Sequence, residues 1–221
     1  MVNSLTTKKD NAEKRFLNLY RVVLEREKYL NNEALIIQYS TLLRFFMKFL
    51  QSEDKYNPNV EWVLFLIYSK LGAIYYHDAL MEIDDSKCFL AAEYYNQALT
   101  YARNVDDKNR ILLALKDIYY YLNDENAYVR VEEAWAENHE SHDKYQAYII
   151  LAQNADASYM KVRFLEKALA LILQQKERFY EKHQDTLFIC SQLIAVYELL
   201  GEREKALKIE KLRENALKLL N

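Results

Sequence analysis

Glycine and proline are almost absent from this chain, which has 2 glycines and 1 proline among its 221 residues. Both residue types are the usual means of making tight turns between strands. A sheet protein of this length would need many such turns. The abundant Ala, Leu, Glu and Lys residues favour helices instead. The chain is therefore predicted to be all-α.

Charge is distributed unevenly along the chain. Residues 61–140 contain 15 Asp and Glu against 7 Lys and Arg, although the net charge of the whole chain is only −3. An acidic middle disfavours nucleic acid, because binding to nucleic acid depends on neutralising phosphates with Lys and Arg. The same region would accept a basic protein or peptide segment.

Membrane insertion and secretion are not expected. No apolar run reaches the length that a membrane span requires, and the N-terminal residues lack the hydrophobic core of a signal peptide. Cys88 and Cys190 are far apart and lie within apolar helical patterns, which is typical of buried, reduced thiols. These features predict a cytoplasmic protein with no membrane partner.

Residues 1–56 are predicted to form an N-terminal helical hairpin. The second helix of this hairpin begins at Asn32 and is apolar around most of its circumference. Such a helix is either packed between other helices or exposed as an interface. The next helix is predicted to begin at Asn57 and Pro58, because a capping residue followed by proline is a common helix start. The segment Asp84, Asp85 and Ser86 offers the N-cap of the helix after it.

The clearest pattern in the chain combines two helical stretches. The first contains an aromatic residue, a Leu-Gly pair and a tyrosine, and the second has small or aromatic residues at helical spacing: Tyr68, Leu71, Gly72 and Tyr75, then Ala91, Tyr95 and Ala98. A glycine inside a helix costs about 1 kcal/mol relative to alanine. We therefore expect the helix of Ala91 to pack closely against Gly72.

Three less regular copies follow this pattern. They are Leu112, Leu115 and Tyr119 with Ala127, Val131 and Ala134; Tyr145, Tyr148 and Ala152 with Lys161, Leu165 and Ala168; and Leu193, Tyr197 and Gly201 with Ala206. The third copy is weaker because Lys161 occupies a position where a small residue is expected. Gly201 is expected to end a helix in the left-handed conformation. A period of about 34 residues indicates stacked helical hairpins.

These copies resemble the tetratricopeptide repeat. The resemblance implies an irregular right-handed superhelix of about five antiparallel helical hairpins. Residues 57–221 would form one continuous domain of such repeats, and residues 1–56 would be either a divergent repeat or a cap.

The resemblance also implies a peptide-binding groove along the inner wall of the stack. Its expected lining residues lie one or two positions from the repeat positions: Tyr76, His77, Arg110, Asp117, Tyr120, Tyr121, Gln146, Gln153 and Asn154. A wall of Tyr, Gln, Asn and Asp can pair with the backbone of an extended peptide, while the rings supply contact area.

Catalysis, a cofactor and a metal are not expected. No phosphate-binding glycine loop or nucleophile elbow is present. Residues His139, Glu140, Ser141 and His142 attract attention as a metal motif, but a zinc helix places its histidines four residues apart. Here they are three apart and flank a predicted turn. We interpret this segment as a solvated helix junction.

Three functions remain open at this point. The preferred hypothesis is a non-enzymatic adaptor that binds a protein or peptide segment, with Tyr120 and Tyr121 in the contact region. The second is a stand-alone, peptide-responsive sensor. The third is a homodimer or a secretion-type chaperone that uses the apolar helix beginning at Asn32 as its interface.

Overall fold

Helices make up nearly all of the chain that can be described. The structure is a computed structural model that describes residues 2–49, 57–140, 143–174 and 180–218. Within these ranges it contains ten α-helices, a short 3₁₀ helix η1 and no strand, so the predicted all-α class is confirmed. The elements are α1 (Val2–Arg26), η1 (Glu27–Tyr29), α2 (Asn32–Phe49), α3 (Pro58–Glu82), α4 (Asp85–Tyr101), α5 (Val105–Tyr121), α6 (Glu125–Glu137), α7 (Lys144–Asn154), α8 (Ser158–Gln174), α9 (Tyr180–Leu199) and α10 (Arg203–Lys218).

Polar side chains cap the helices where the sequence predicts helix starts. The Asn57 side chain accepts a hydrogen bond from the backbone N–H of Asn59 at 2.9 Å, directly before α3. Asp84 does the same for Ser86 at 2.9 Å before α4. These bonds satisfy backbone donors that have no partner in the first turn of a helix.

The chain divides into two compact units, Met1–Tyr128 and Val129–Asn221, with the boundary inside α6. This boundary is not at residue 56, where the sequence pattern divides the N-terminal hairpin from the repeats. Whether residues 1–56 are a divergent repeat or a cap remains a prediction. Each unit is described separately below.

In the first unit, α2 is packed between other helices. It contacts both α1 and α3, and it buries Leu35, Tyr39, Leu42, Leu43 and Phe46 in their shared core. Of the two positions expected for this helix, packed or exposed, the structure shows the packed one. Among the described side chains of α2, Ile37 and Met47 are large apolar ones that remain about half exposed.

Helices α3 and α4 form the most closely packed hairpin of the first unit. A Cβ atom placed on Gly72 would lie only 2.9 Å from Cγ of Tyr95, so the expected close approach of α4 to Gly72 is confirmed. Tyrosine rings fill the rest of the contact. Tyr75 stacks on Tyr94 at 5.4 Å, and Tyr68 stacks on Tyr101 at 5.8 Å between ring centroids.

In the second unit, buried tyrosines donate hydrogen bonds from their hydroxyl groups to carboxylates. Tyr145 donates to Asp185 at 2.9 Å and Tyr148 donates to Glu137 at 2.8 Å. Tyr197 likewise donates to Glu166. Each bond joins two helices, because the ring packs in the core while its hydroxyl reaches a carboxylate on another helix.

Gly201 and the two cysteines are also placed as the sequence predicts. Gly201 follows α9 with a φ of 74°, and the N–H of Glu202 donates to the carbonyl of Tyr197 at 2.8 Å, which is the left-handed helix ending that glycine favours. Cys88 and Cys190 are buried and free. Burial raises the pKa of Cys190 to about 11, so this thiol stays protonated at neutral pH.

Candidate functional site

One face of α5 carries most of the predicted groove residues of the first unit. We call this face the α5 strip and define it as Arg110, Leu113, Asp117, Tyr120 and Tyr121. Spacings of three and four residues place these side chains on one side of a helix. All five are exposed.

A neighbouring helix extends the strip. Tyr76 on α3 lies close enough to Asp117 and Tyr121 for their charges to affect it. Burial raises the pKa of Tyr76, and Asp117 and Tyr121 raise it further. Two strip residues on α5 therefore act electrostatically on Tyr76 of α3.

Arg110 is held at one end of the strip. Its guanidinium lies 5.5 Å from the ring centroid of Phe65 on α3, and its Nη2 donates to Asp107 at 3.3 Å. Arg103 lies similarly over Trp62 at 5.2 Å. Cation–π contacts of this kind tie the start of α5 to α3.

The most exposed large side chains of the strip are Tyr120 and Leu113. They are 79% and 61% exposed, respectively. The ring of Tyr120 is tilted against the ring of Tyr128, at 6.3 Å between centroids. Leu113 was not among the predicted groove residues, although its position three residues after Arg110 would have identified it.

His77 faces away from the strip. Adjacent residues of a helix point about 100° apart, and His77 lines a different pocket of about 300 Å³ together with Glu27, Asn32 and Lys70. There, Lys70 pairs with Glu27 at 2.6 Å, and Asn32 donates to Asp78 at 2.7 Å. These bonds attach the N-terminal hairpin to α3.

The other three predicted groove residues lie in the second unit. Gln146 donates to the Tyr145 hydroxyl at 3.2 Å, and Asn154 is exposed at the end of α7. Gln153 lines a pocket of about 310 Å³ between α7, α8 and α9. The polar side chains of this pocket are Gln153, Lys161 and Gln192, and its apolar ones are Ala152, Leu165, Phe188 and Val196.

Two residues of the histidine segment, His139 and Glu140, lie within the described residues. His139 packs edge-on against Trp135 at 4.5 Å, and its Nδ1 lies 3.1 Å from the Trp135 carbonyl oxygen. Ser141 and His142 lie outside the described residues. Among the residues that are described, no group of three His, Cys, Asp or Glu side chains is placed to hold a metal ion.

A membrane crossing would require a long helix of mostly apolar residues. None of the helices in the described ranges meets this requirement.

Comparison with known proteins yields no family. No protein-family model matches the chain, and no curated protein matches it. The crystal structure of BtubC (BKLC) from P. vanneervenii is 19% identical, covering 98% of this chain and 92% of that chain with a TM-score of 0.35. A chain from the computational design of self-assembling cyclic protein homooligomers is 12% identical, covering 99% and 96% with a TM-score of 0.22. Similarities this low carry no argument about this protein.

Proposed function

We propose that this protein is a non-enzymatic adaptor that binds a protein or peptide segment on the α5 strip. The proposal includes the cytoplasmic setting and the right-handed stack of tetratricopeptide-like hairpins that the repeat pattern predicts. The observation that carries it is the exposure of Leu113 and Tyr120 on one face of α5, beside an Asp117 carboxylate that has no hydrogen-bond or ion-pair partner within the described chain.

The composition of the strip supports binding. Tyrosine presents a large, partly apolar ring that loses little conformational entropy on binding, and aromatic residues are enriched at the centres of interfaces. Tyr120 and Leu113 expose apolar surface, and covering that surface lowers the free energy. A partner with apolar side chains would cover it.

Charge points to a basic partner. The Asp117 carboxylate takes part in no ion pair or hydrogen bond within the described chain, whereas Arg110 already pairs with Asp107. A Lys or Arg of the partner can therefore pair with Asp117 without displacing an existing bond. The excess of acidic residues over positions 61–140 acts in the same direction and speeds association with a positively charged segment.

Selection from a random-peptide library against the full-length protein tests the proposal. We expect the selected peptides to combine apolar residues with Lys or Arg. Replacing both Tyr120 and Tyr121 by Ala should weaken their binding at least about tenfold, since interface tyrosines often contribute 2 kcal/mol or more. Binding should also weaken as salt concentration rises.

Tyr29→Ala provides the matched control. Tyr29 is an equally exposed tyrosine, but it belongs to η1 and not to the strip. This variant should bind the selected peptides as tightly as the unchanged protein does. Peptides that bind the double variant normally, or that lose binding equally in the control, would exclude the strip as the binding surface.

A further inference from the structure

The pocket between α7, α8 and α9 occurs at the position where the repeat pattern fails. In the other three copies, the second helix carries an alanine at the corresponding position of the pattern. These residues, Ala91, Ala127 and Ala206, are all buried. The third copy has Lys161 at this position, and here the structure contains a pocket of about 310 Å³.

The physical cause is the size and charge of lysine. An alanine lets two helices close on each other, whereas a lysine side chain cannot enter the contact without burying its ammonium group. Lys161 is instead half-buried at the side of the pocket. The space beside it stays open, with Leu165 and Ala152 as its buried floor.

The polar groups of this pocket are available to a ligand. In the part of the chain that the structure describes, the ammonium of Lys161 and the amides of Gln153 and Gln192 have no hydrogen-bond or ion-pair partner. A half-buried ammonium that no carboxylate neutralises favours an anion. The two amides can donate further hydrogen bonds to the same anion.

The apolar groups define the rest of the ligand. Val196 and the ring of Phe188 line the pocket beside Leu165, so an apolar chain could pack there. Ligand pockets range from about 300 to 1,000 Å³, and this one lies at the small end of that range. It suits a ligand of about amino-acid size, and the apolar lining favours a carboxylate with an apolar chain over a fully hydrated anion such as phosphate.

We infer that the Lys161 pocket is a binding site for a carboxylate attached to a short apolar group. The carboxylate pairs with Lys161 and accepts hydrogen bonds from Gln153 and Gln192, and the apolar group packs against Leu165, Phe188 and Val196. The carboxylate belongs either to a small free acid or to an acidic side chain of a peptide. This site is independent of the α5 strip.

Titration of the isotope-labelled full-length protein, followed by amide proton–nitrogen NMR spectra, tests this inference. The probes are isocaproate for the free acid and a capped Ala-Leu-Glu-Leu-Ala peptide for the acidic side chain. Isocaproamide and inorganic phosphate are the matched probes that lack the charge and the apolar chain, respectively. We expect one of the first two to shift the side-chain amide signals of Gln153 and Gln192, at concentrations at least about tenfold below those needed for isocaproamide or phosphate.

Three variants test which side chains contribute to binding in the pocket. Lys161→Met keeps the length of the side chain without its charge and should raise the dissociation constant at least about tenfold. Gln192→Leu should raise it by a smaller factor. Lys211→Met changes an exposed lysine of α10 and should leave it unchanged. Circular dichroism melting curves establish that each variant is folded.

The two sources of the carboxylate are separated by which probe binds. Tight binding of isocaproate assigns the site to a small acid, and binding of the peptide alone assigns it to an acidic side chain. The inference is overturned if neither probe shifts the two glutamine signals, if isocaproamide or phosphate binds equally well, or if Lys161→Met binds as the unchanged protein does. The variant lacking Tyr120 and Tyr121 should retain binding to this pocket, so the pocket and the α5 strip succeed or fail separately.

Discussion

Hairpins α3–α4 and α7–α8 follow the same repeat pattern, but their helices meet in different ways. In α3–α4, Ala91 is fully buried and a Cβ atom on Gly72 would lie only 2.9 Å from Cγ of Tyr95. In α7–α8, Lys161 takes the place of the alanine, and a pocket of about 310 Å³ opens beside it. The two hairpins therefore differ at this position of the second helix, where one has a buried alanine and the other a lysine that lines a pocket.

The surrounding units also differ in how their tyrosines are used. In the first unit, rings stack on rings, as Tyr75 does on Tyr94. In the second unit, hydroxyl groups bond carboxylates, and Glu133 accepts two hydrogen bonds from Arg163, at 2.6 and 2.8 Å. Packing of apolar and aromatic surface is insensitive to pH, whereas bonds to carboxylates depend on their ionisation. The carboxylate bonds of the second unit should therefore weaken in acid.

Substitutions at Ala91 and Lys161, the corresponding positions of the two hairpins, should give the largest difference in the free energy of unfolding. Ala91→Lys would bury an unpaired ammonium in the closed hairpin and should lower the free energy of unfolding by about 3 to 5 kcal/mol. Lys161→Ala removes a half-exposed side chain and should change it by less than about 1 kcal/mol. Urea denaturation followed by circular dichroism measures the free energy of unfolding of both variants. Equal losses in the two variants would mean that the hairpins do not differ at this contact.

Filling the space at Gly72 should have the next largest effect. Gly72→Leu places side-chain atoms where a Cβ would already lie 2.9 Å from Tyr95, and overpacking of this kind should cost about 1 to 3 kcal/mol. Ala73→Leu is the matched control, because Ala73 is the next residue of α3 and is exposed. Urea denaturation should show a loss for the first variant and little change for the second. If Gly72→Leu left the free energy of unfolding unchanged, α4 would be able to move away from Gly72 without cost.

Removing the charge of Glu133 should have a comparable or smaller effect, and one that depends on pH. The Glu133 side chain is only 13% exposed and also lies 3.0 Å from the Lys167 ammonium. Burial acts to raise the pKa of Glu133, but the hydrogen bonds from Arg163 and Lys167 outweigh burial and lower it below its ordinary value of 4.5. Glu133→Gln should therefore lower the free energy of unfolding by about 1 to 2 kcal/mol at neutral pH.

The sign of the pH dependence follows from the lowered pKa. The stability that ionised Glu133 contributes is complete above pH 4.5, the ordinary value, and is lost as the pH falls through the lower pKa of the folded state. Denaturation curves measured across this range should show the difference between the two proteins shrinking with acidity. Glu214→Gln, an exposed change on α10, should show no such trend. A difference that stays constant with pH would assign the loss to packing and not to charge.

Much of the local structure could be predicted from the sequence. The near absence of glycine and proline predicts helices, and Asn57 and Asp84 predict where two of them begin, because capping depends on residues close together in the chain. The roles of Gly72 and Gly201 could also be predicted, because a close helix approach and a left-handed helix ending are requirements that few residues other than glycine meet. The individual helices and their caps follow from such short-range rules.

The surfaces proposed for binding are harder to predict. The repeat pattern predicts Tyr76 and His77 as neighbours in one groove, but the structure places His77 in a pocket with residues of the N-terminal hairpin. A repeat pattern does not specify the rotation of each helix to better than one residue, and a step of one residue moves a side chain to another face. Lys161 was noted as a departure from the pattern, without any indication that space would open beside it.

The helical character of the chain, the ends of its clearest helices and the small residues that allow helices to meet can be predicted from the sequence alone. These properties depend on backbone propensity and on contacts within a few residues. The packing of α2 between α1 and α3, and the pocket that Lys161 lines with Gln153 and Gln192, appear only in the folded structure. Those arrangements depend on how side chains from distant parts of the chain fill the space between helices, and that space exists only once the helices have packed.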